Sequence, residues 1–342
     1  MRRRVKKLTK VFGGRYMQHG FEKYVHVPDI LGIITNIRGF RWGFGECSTP
    51  AGEDAFDRCR IKVFLEAKKD REVFDGLDLK DYTEVFRDFK AKPQTKAVIF
   101  EKKLRAFRLR FSVSVQDDRV SVTVGRSYLR YIKFKLMYIH PIAYVLFDIV
   151  SMLLLQQNMT TLYCSAARLK NERSIVCFSP PNTGKSLTVL QLKKKYGARI
   201  IAEDMAVTDG ESIWGAPYTG LYRDYNDDSL NAVGKNIEND TFVEKIDAAF
   251  VLQKGSSDHE TASDECADKI TLINRYSLGY YYSPCVRVLD YYNRDFDVKS
   301  AQMVEDRILS KIASDAMTYI VEKRNSMDFA DFIYTVMNEE NT

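Results

Sequence analysis

The 342-residue chain has no two cysteines in C-x-x-C spacing; its six stand singly at 47, 59, 164, 177, 266 and 285. Such spacing offers neither a zinc ligand set nor a disulfide framework. A cysteine flanked by apolar residues, as in Val176-Cys177-Phe178, behaves as a small core residue. A reducing, cytoplasmic compartment is therefore expected. Histidine is also scarce, with four scattered copies that form no cluster for a metal. No apolar run follows the basic residues at the start, so no secretory signal is read there. The one long apolar stretch, Leu136 to Leu155, contains His140, Pro141 and Asp148. An acid at mid-membrane costs about 2.5–3.5 kcal/mol. A buried helix over roughly 138–157 is expected in its place, and no transmembrane segment. Internal repeats and long low-complexity segments are absent.

What the chain does have is 45% apolar residues, enough for a packed core, and an uneven distribution of charge. Residues 1–160 carry 31 Lys/Arg against 18 Asp/Glu, and residues 161–342 carry 21 against 28. A basic half joined to an acidic half suggests two units that face different partners. Part of the basic excess lies in Met1 to Lys10. That stretch reads as a solvated tail, with an anionic partner (nucleic acid or a membrane surface) as the alternative.

Residues 1–135 read as a β-rich domain of unknown role. In "FRLRFSVSVQDDRVSVTVGR", Phe107, Leu109, Phe111, Val113 and Val115 alternate with polar residues, the period of a half-buried strand. Gln116-Asp117-Asp118-Arg119 makes the turn, and Val120, Val122 and Val124 resume the alternation, which predicts a hairpin. "ILGIITNIRGFRWGFGEC" and "CRIKVFLEAKK" predict further strands. Asp54, Asp57, Asp70 and Asp75 read as solvated surface.

Residues 136–342 read differently. "SIVCFS" (174–179) is a short apolar strand. "SLTVLQLKKKYG" (186–197) is a helix whose three lysines complement the negative end of its dipole and whose Gly197 stops it. "ARIIAED" is a second buried strand, "AVTDGESIWG" a hairpin around Asp209-Gly210, and "AAFVLQKG" (248–255) another strand. From Ala301, "AQMVEDRILSKIASDAMTYIVEK" has helical period, and a last helix spans 328–338. The fold class is mixed α/β: a β-rich N-terminal region, then a central sheet with a loop-bearing helix, then C-terminal helices.

Between that strand and helix lies "SPPNTGKSL". A phosphate-binding loop works because consecutive backbone N–H groups wrap a phosphate at the positive end of a helix. Its lysine reaches the outer phosphates, and the next Ser/Thr hydroxyl holds Mg²⁺. Gly184, Lys185 and Ser186 supply the second half of that motif. Ser179 replaces the usual first glycine, and Pro180 and Pro181 cannot donate. The donors nearest the phosphate come from Thr183, Gly184, Lys185 and Ser186. The nucleotide-binding candidates are thus Ser179, Pro180, Pro181, Asn182, Thr183, Gly184, Lys185, Ser186 and Leu187. Ser179 fits only with a negative φ.

The stretch from Leu162 to Gly220 resembles the catalytic domain of HPr serine kinase/phosphorylase and, more distantly, phosphoenolpyruvate carboxykinase. The counterparts are Cys164-Ser165-Ala166-Ala167 for a "HASA"-like strand, Ser179 to Ser186 for the loop, Ala202-Glu203-Asp204 for an apolar strand ending in two acids, and Gly215-Ala216-Pro217 for a "G-x-P" turn. "DAAFVLQKG" is a weaker match to a later strand.

The resemblance implies phosphoryl transfer from ATP, with Mg²⁺, to a hydroxyl of a protein, peptide or small molecule. It gives Lys185 the β/γ-phosphates, Ser186 and Asp204 the metal, and one carboxylate of Glu203-Asp204 the role of base. Adjacent strand residues point to opposite faces, so only one acid faces the phosphate; which one stays open. Oligomers are common in proteins of this resemblance. The departures are Cys164 in the place of the family's histidine, Glu203 in place of the first Asp, and no Glu-Ile-Arg-Gly-x-Gly segment after Pro217. HPr kinase/phosphorylase activity itself is therefore not expected. Asp224, Asp227 and Asp228 could supply a carboxylate, and Arg275 and Lys254 a cation. Tyr280, Tyr281 and Tyr282 read as packing residues. Two readings compete with a kinase: an ATP-binding regulatory protein without catalysis, and a binder of anionic surfaces acting through the basic half, for which nucleic acid is the less favoured partner.

Overall fold

The computed structural model describes residues 18–42, 44–46, 50–86, 88–93, 96–105, 107–131, 142–215, 243–255, 259–262, 265–282, 297–326 and 328–339. The chain divides into two compact units. The first comprises residues 1–42, 46–150 and 284–297, and the second 43–45, 151–283 and 298–342.

The first unit is β-rich. The eight strands of its main sheet are β1 (Gln18–Val27), β2 (Leu31–Ile37), β3 (Ile61–Lys68), β4 (Thr83–Phe86), β5 (Phe89–Ala91), β6 (Ala97–Leu104), β7 (Phe107–Gln116) and β8 (Arg119–Gly125). They form one mixed sheet in the order β1-β2-β3-β8-β7-β6-β5-β4. β3 runs parallel to β2 and β8, and the other pairs are antiparallel. β3 buries every second residue, Ile61, Val63, Leu65 and Ala67, because successive side chains leave opposite faces. The predicted hairpin is β7–β8, with Gln116 opposite Arg119 and Asp117 at a φ of 50°.

The core face carries aromatic rings. Phe100 stacks on Phe111 at 4.8 Å, and Tyr128 of α2 (Arg126–Tyr131) meets Phe111 edge-on at 5.3 Å. A short helix α1 (Glu53–Arg58) buries Phe56. The opposite face is covered at one end by residues 70–82, whose Val73, Phe74 and Tyr82 pack with Ile99. This segment corrects one expectation. Asp70 is not solvated surface, because its carboxylate accepts hydrogen bonds from the Ser127 N–H at 2.9 Å and from the Ser127 hydroxyl. An acid at that helix start answers a donor the helix leaves unpaired.

Helix α3 (Ile142–Gln156) lies on the long apolar stretch, and most of its residues are buried. Among the described residues no helix is long and apolar enough to cross a membrane. Cys59, Cys164, Cys177 and Cys266 are free and buried, as isolated core cysteines should be.

The second unit is a mixed α/β assembly. Its main sheet has the order β12-β10-β11-β16-β18-β17, from β10 (Ser165–Arg168), β11 (Ser174–Phe178), β12 (Arg199–Ala202), β16 (Ala248–Lys254), β17 (His259–Ala262) and β18 (Met317–Lys323). The central three, β11, β16 and β18, are parallel. A smaller antiparallel sheet joins β9 (Thr160–Leu162), β13 (Ala206–Thr208), β14 (Ser212–Gly215) and β15 (Val243–Lys245). Both faces of the main sheet are covered, so its central strands read as continuous apolar runs. Ile175, Cys177, Phe250 and Leu252 face α4 (Lys185–Tyr196) and α7 (Phe329–Glu339). Val176, Phe178, Ala249 and Val251 face a second cluster with α5 (Cys266–Tyr282) and α6 (Val298–Asp315).

Most expected elements of this half are present, with one correction. The helical period read from Ala301 through Lys323 breaks at Asp315, and "MTYIVEK" is strand β18, paired with β16 in parallel from Ala248↔Met317 to Lys254↔Lys323. Thr318, Tyr319, Ile320 and Val321 are β-branched or aromatic, and a vacant sheet edge outweighs a helical spacing of apolar residues.

Candidate active site

β11 ends at Phe178 and α4 begins at Lys185, so Ser179 to Gly184 form a strand-to-helix loop at the carboxyl end of a parallel strand. In open α/β sheets that is where ligands bind. The Thr183 N–H donates to the Pro180 carbonyl at 3.4 Å, which turns the chain, and Asn182 at φ 66° and Gly184 at φ 124° complete the bend. Gly184 is needed twice over. Its φ is one L-residues rarely adopt, and an added Cβ would come within 2.6 Å of the Ser326 Cβ. Ser179 is buried with no positive φ, and its hydroxyl donates to the Pro180 carbonyl at 3.1 Å. Serine is therefore accommodated where a glycine was expected. In the first turn of α4 the N–H groups of Lys185, Ser186 and Leu187 have no partner within the helix and point to its positive end.

Lys185 is 5% exposed. Its ammonium lies 3.0 Å from Asp204 Oδ1 and 3.5 Å from the centroid of the Tyr163 ring. Burial alone lowers a lysine pKa, but the Asp204 carboxylate and Tyr163 outweigh it and hold Lys185 above its ordinary value. The buried ammonium thus stays charged. Ser186 Oγ donates to the Glu203 main-chain carbonyl at 3.4 Å, and the Ser165 hydroxyl donates to the same carbonyl. The two acids therefore divide their work. Asp204 turns its carboxylate to the loop lysine. Glu203 is buried, and its carbonyl ties the end of β12 to the start of α4. Leu187 packs into the core below the loop.

The resemblance set Cys164 in the place of a histidine. Cys164 is fully buried in the apolar cluster on the α5–α6 side, and desolvation pushes its thiol pKa up against the opposing charge of nearby Lys185. Its neighbour Tyr163, in the connection between β9 and β10, sets its ring against Lys185. The Tyr163 N–H donates to Asn274 Oδ1 at 2.8 Å, and the wholly buried Asn274 donates to the Thr161 carbonyl at 3.2 Å. Tyr163 lies in a connection between two strands, so no periodicity in the sequence would have found it. Nothing in the sequence points to Ser326.

The proposed cations fare unevenly. Arg275 pairs with Asp306 at 2.5 Å and Glu305 at 3.5 Å, both on α6. Lys254 is exposed at the carboxyl end of β16. Pro217, Asp224, Asp227 and Asp228, and the side chains of Tyr280, Tyr281 and Tyr282, lie outside the described residues. Gly215 approaches the Ile201 carbonyl so closely that an added Cβ would come within 2.3 Å. Among the described residues no three His, Cys, Asp or Glu side chains cluster to hold a metal by themselves. The donors at the loop, a Ser186 hydroxyl and an Asp204 carboxylate, suit Mg²⁺, which binds through one or two protein groups, retained waters and substrate phosphates.

No family model matches the chain, and no curated protein matches it. A solved structure, the Hpr(Ser) kinase/phosphatase from Coxiella burnetii, matches with 9% identity over 53% of this chain and 96% of that chain, at a TM-score of 0.24. A likeness at that score says nothing of this chain's chemistry, which has to be read from its own geometry.

Proposed function

We propose that the second unit binds Mg-ATP at Ser179–Leu187 and transfers the terminal phosphoryl group to a hydroxyl of a protein, peptide or small molecule. The observation that carries this reading is the charged, buried Lys185 at the start of α4, held 3.0 Å from Asp204. A lysine kept protonated at a helix N-terminus, beside a glycine-bearing turn, is suited to a polyphosphate. Lys185 exchanges Asp204 for the phosphates and neutralises them. Asp204, released, accepts the proton of the acceptor hydroxyl as its oxygen bonds to phosphorus and ADP departs. Ser186 and Asp204 would hold Mg²⁺, which would supply further neutralisation of the phosphate charge. Glu203 positions Ser186 through its carbonyl.

A second reading, an ATP-binding regulatory protein without transfer, is favoured by Cys164, a fully buried thiol where the resembled family has a histidine. The experiment is titration calorimetry with Mg-ATP on the parent and on Lys185→Ala, followed by transfer of labelled phosphate. Micromolar binding lost in the variant supports the site, and transfer abolished in Asp204→Asn with binding retained supports the kinase. Equal binding by parent and Lys185→Ala would refute the site. A cytoplasmic location and a homo-oligomeric state belong to the same proposal.

A further inference from the structure

The first unit carries a second place built for an anion. At the end of the sheet's outer face that no described segment covers lies a concavity of about 460 Å³, lined by Phe64, Lys96, Ala97, Ser114, Val115, Gln116, Arg119 and Ser121. Strand pairing fixes how these residues meet. Ser121 lies opposite Ser114 and next to Phe64, Ser114 lies opposite Ala97, and Arg119 lies opposite Gln116. The Lys96 carbonyl accepts from the Val115 N–H at 2.9 Å, on the other flank of β7. Lys96, just before β6, and Arg119 of β8 thus flank β7, about 10 Å apart at the backbone by two strand spacings, and both line the concavity together with Ser114 and Gln116.

Three features distinguish this concavity from ordinary solvated sheet. No acid lines it. Lys96, Ser114, Gln116, Arg119 and Ser121 make no side-chain hydrogen bond or ion pair with a described residue, whereas Arg108, Arg110, Lys92 and Lys102 of the same sheet region are each paired with a carboxylate. The floor also holds a half-buried aromatic ring, Phe64, on the central strand β3. Two unneutralised cations spanning hydroxyl and amide donors select an oxyanion, and the ring beside them selects a planar apolar group. The volume falls in the range of small-molecule pockets.

We propose that this concavity binds a small aromatic oxyanion, a planar ring bearing one phosphate or carboxylate, with the oxyanion between Lys96 and Arg119 and the ring on Phe64. The site is built from residues of the first unit alone and does not depend on nucleotide binding at Lys185.

Saturation-transfer NMR with phenyl phosphate, benzoate and inorganic phosphate tests it on the full chain. Phenyl phosphate is expected to bind at least about tenfold tighter than inorganic phosphate. Exposed Arg119→Glu, and separately Lys96→Glu, are each expected to weaken it about tenfold or more, the factor that corresponds to 1.4 kcal/mol. Lys185→Ala should leave it unchanged. Phe64→Leu, which keeps an apolar floor, should abolish the preference for phenyl over inorganic phosphate. Binding unaffected by both charge reversals, binding lost in Lys185→Ala, or no saturation transfer at millimolar ligand would each overturn the proposal. Benzoate binding as tightly as phenyl phosphate, with the same losses, would identify a carboxylate as the natural group and uphold the site.

Discussion

Lys185 and the pair Lys96/Arg119 are both candidate anion sites, and they manage charge in opposite ways. Lys185 is buried, so its charge survives only because Asp204 and the face of Tyr163 stand against it. Arg119 is exposed and Lys96 half-buried, and neither has a counter-charge among the described residues. A buried cation needs a resident partner, which a ligand must displace, while an exposed one can wait on solvent. The first arrangement couples binding to stability. The second leaves stability indifferent to the charge.

The sharpest break in that comparison is predicted at Asp204. Removing one partner of a buried pair strands the other, at a cost of about 3–5 kcal/mol. Asp204→Ala should therefore lower the stability of the second unit by an amount in that range, read as a shift in the denaturant midpoint. Lys185→Met strands the Asp204 carboxylate in turn, but that group is the more exposed of the two, 16% against 6%, so the variant should cost less while still abolishing Mg-ATP binding. Equal destabilisation by the two would mean the pair is not buried as described. Arg119→Glu should leave the midpoint within about 0.5 kcal/mol of the parent, as surface substitutions do.

Next in size is Gly184→Ala. It forces an L-residue into a φ of 124° and a Cβ onto Ser326, a strain of about 1–3 kcal/mol. Ser326→Gly should relieve the contact but not the backbone, so the double variant should recover only part of the loss. Full recovery would show the backbone to be unstrained.

Tyr163 comes third. A desolvated cation over an aromatic face is worth about 2 kcal/mol, so Tyr163→Leu should raise the reactivity of Lys185 toward an amine acylating reagent, and Tyr163→Phe should not. Reactivity that follows the hydroxyl and not the ring would assign the effect to hydrogen bonding instead.

How far the sequence reached differs between these places. The β7–β8 hairpin and the β11–loop–α4 unit were legible because alternation, helix dipole charges and a glycine stop are local signals. β18 was not, because "TYIV" satisfies both a helical spacing and a strand composition, and only pairing with β16 decides between them. The loop motif located Lys185, Ser186 and the two acids. It did not say that Asp204 is the acid that turns to the lysine, or that the Tyr163 ring stands against it, since both follow from how the ends of strands pack and not from a local pattern. Lys96 and Arg119 looked like ordinary members of a basic half. Their lack of partners is a property of the sheet's register.

The smallest expected effect concerns the contact that seats α7 on α4. The Asp331 carboxylate accepts from Lys195 Nζ at 2.8 Å and from the Tyr196 hydroxyl at 2.7 Å, and the Tyr196 ring stacks on Tyr334 at 3.7 Å. The Lys195 bond, against a smaller opposing desolvation, holds the Asp331 pKa below the ordinary carboxylate value. A depressed folded-state pKa stabilises above the unfolded pKa, near 4 for an aspartate, and the contribution is lost as pH falls through the lower folded value. Asp331 and Lys195 are both close to half exposed, so the pair is worth about 0.2–1 kcal/mol. Asp331→Asn should therefore lower stability slightly at pH 7 and have no effect near pH 2, and added salt should shrink the difference at neutral pH. Asp204→Asn should show the opposite salt response, a loss that salt does not screen, because its partner is buried. A salt-sensitive loss at Asp204 would put Lys185 in the same class as the exposed cations, and the contrast between the two anion sites would collapse.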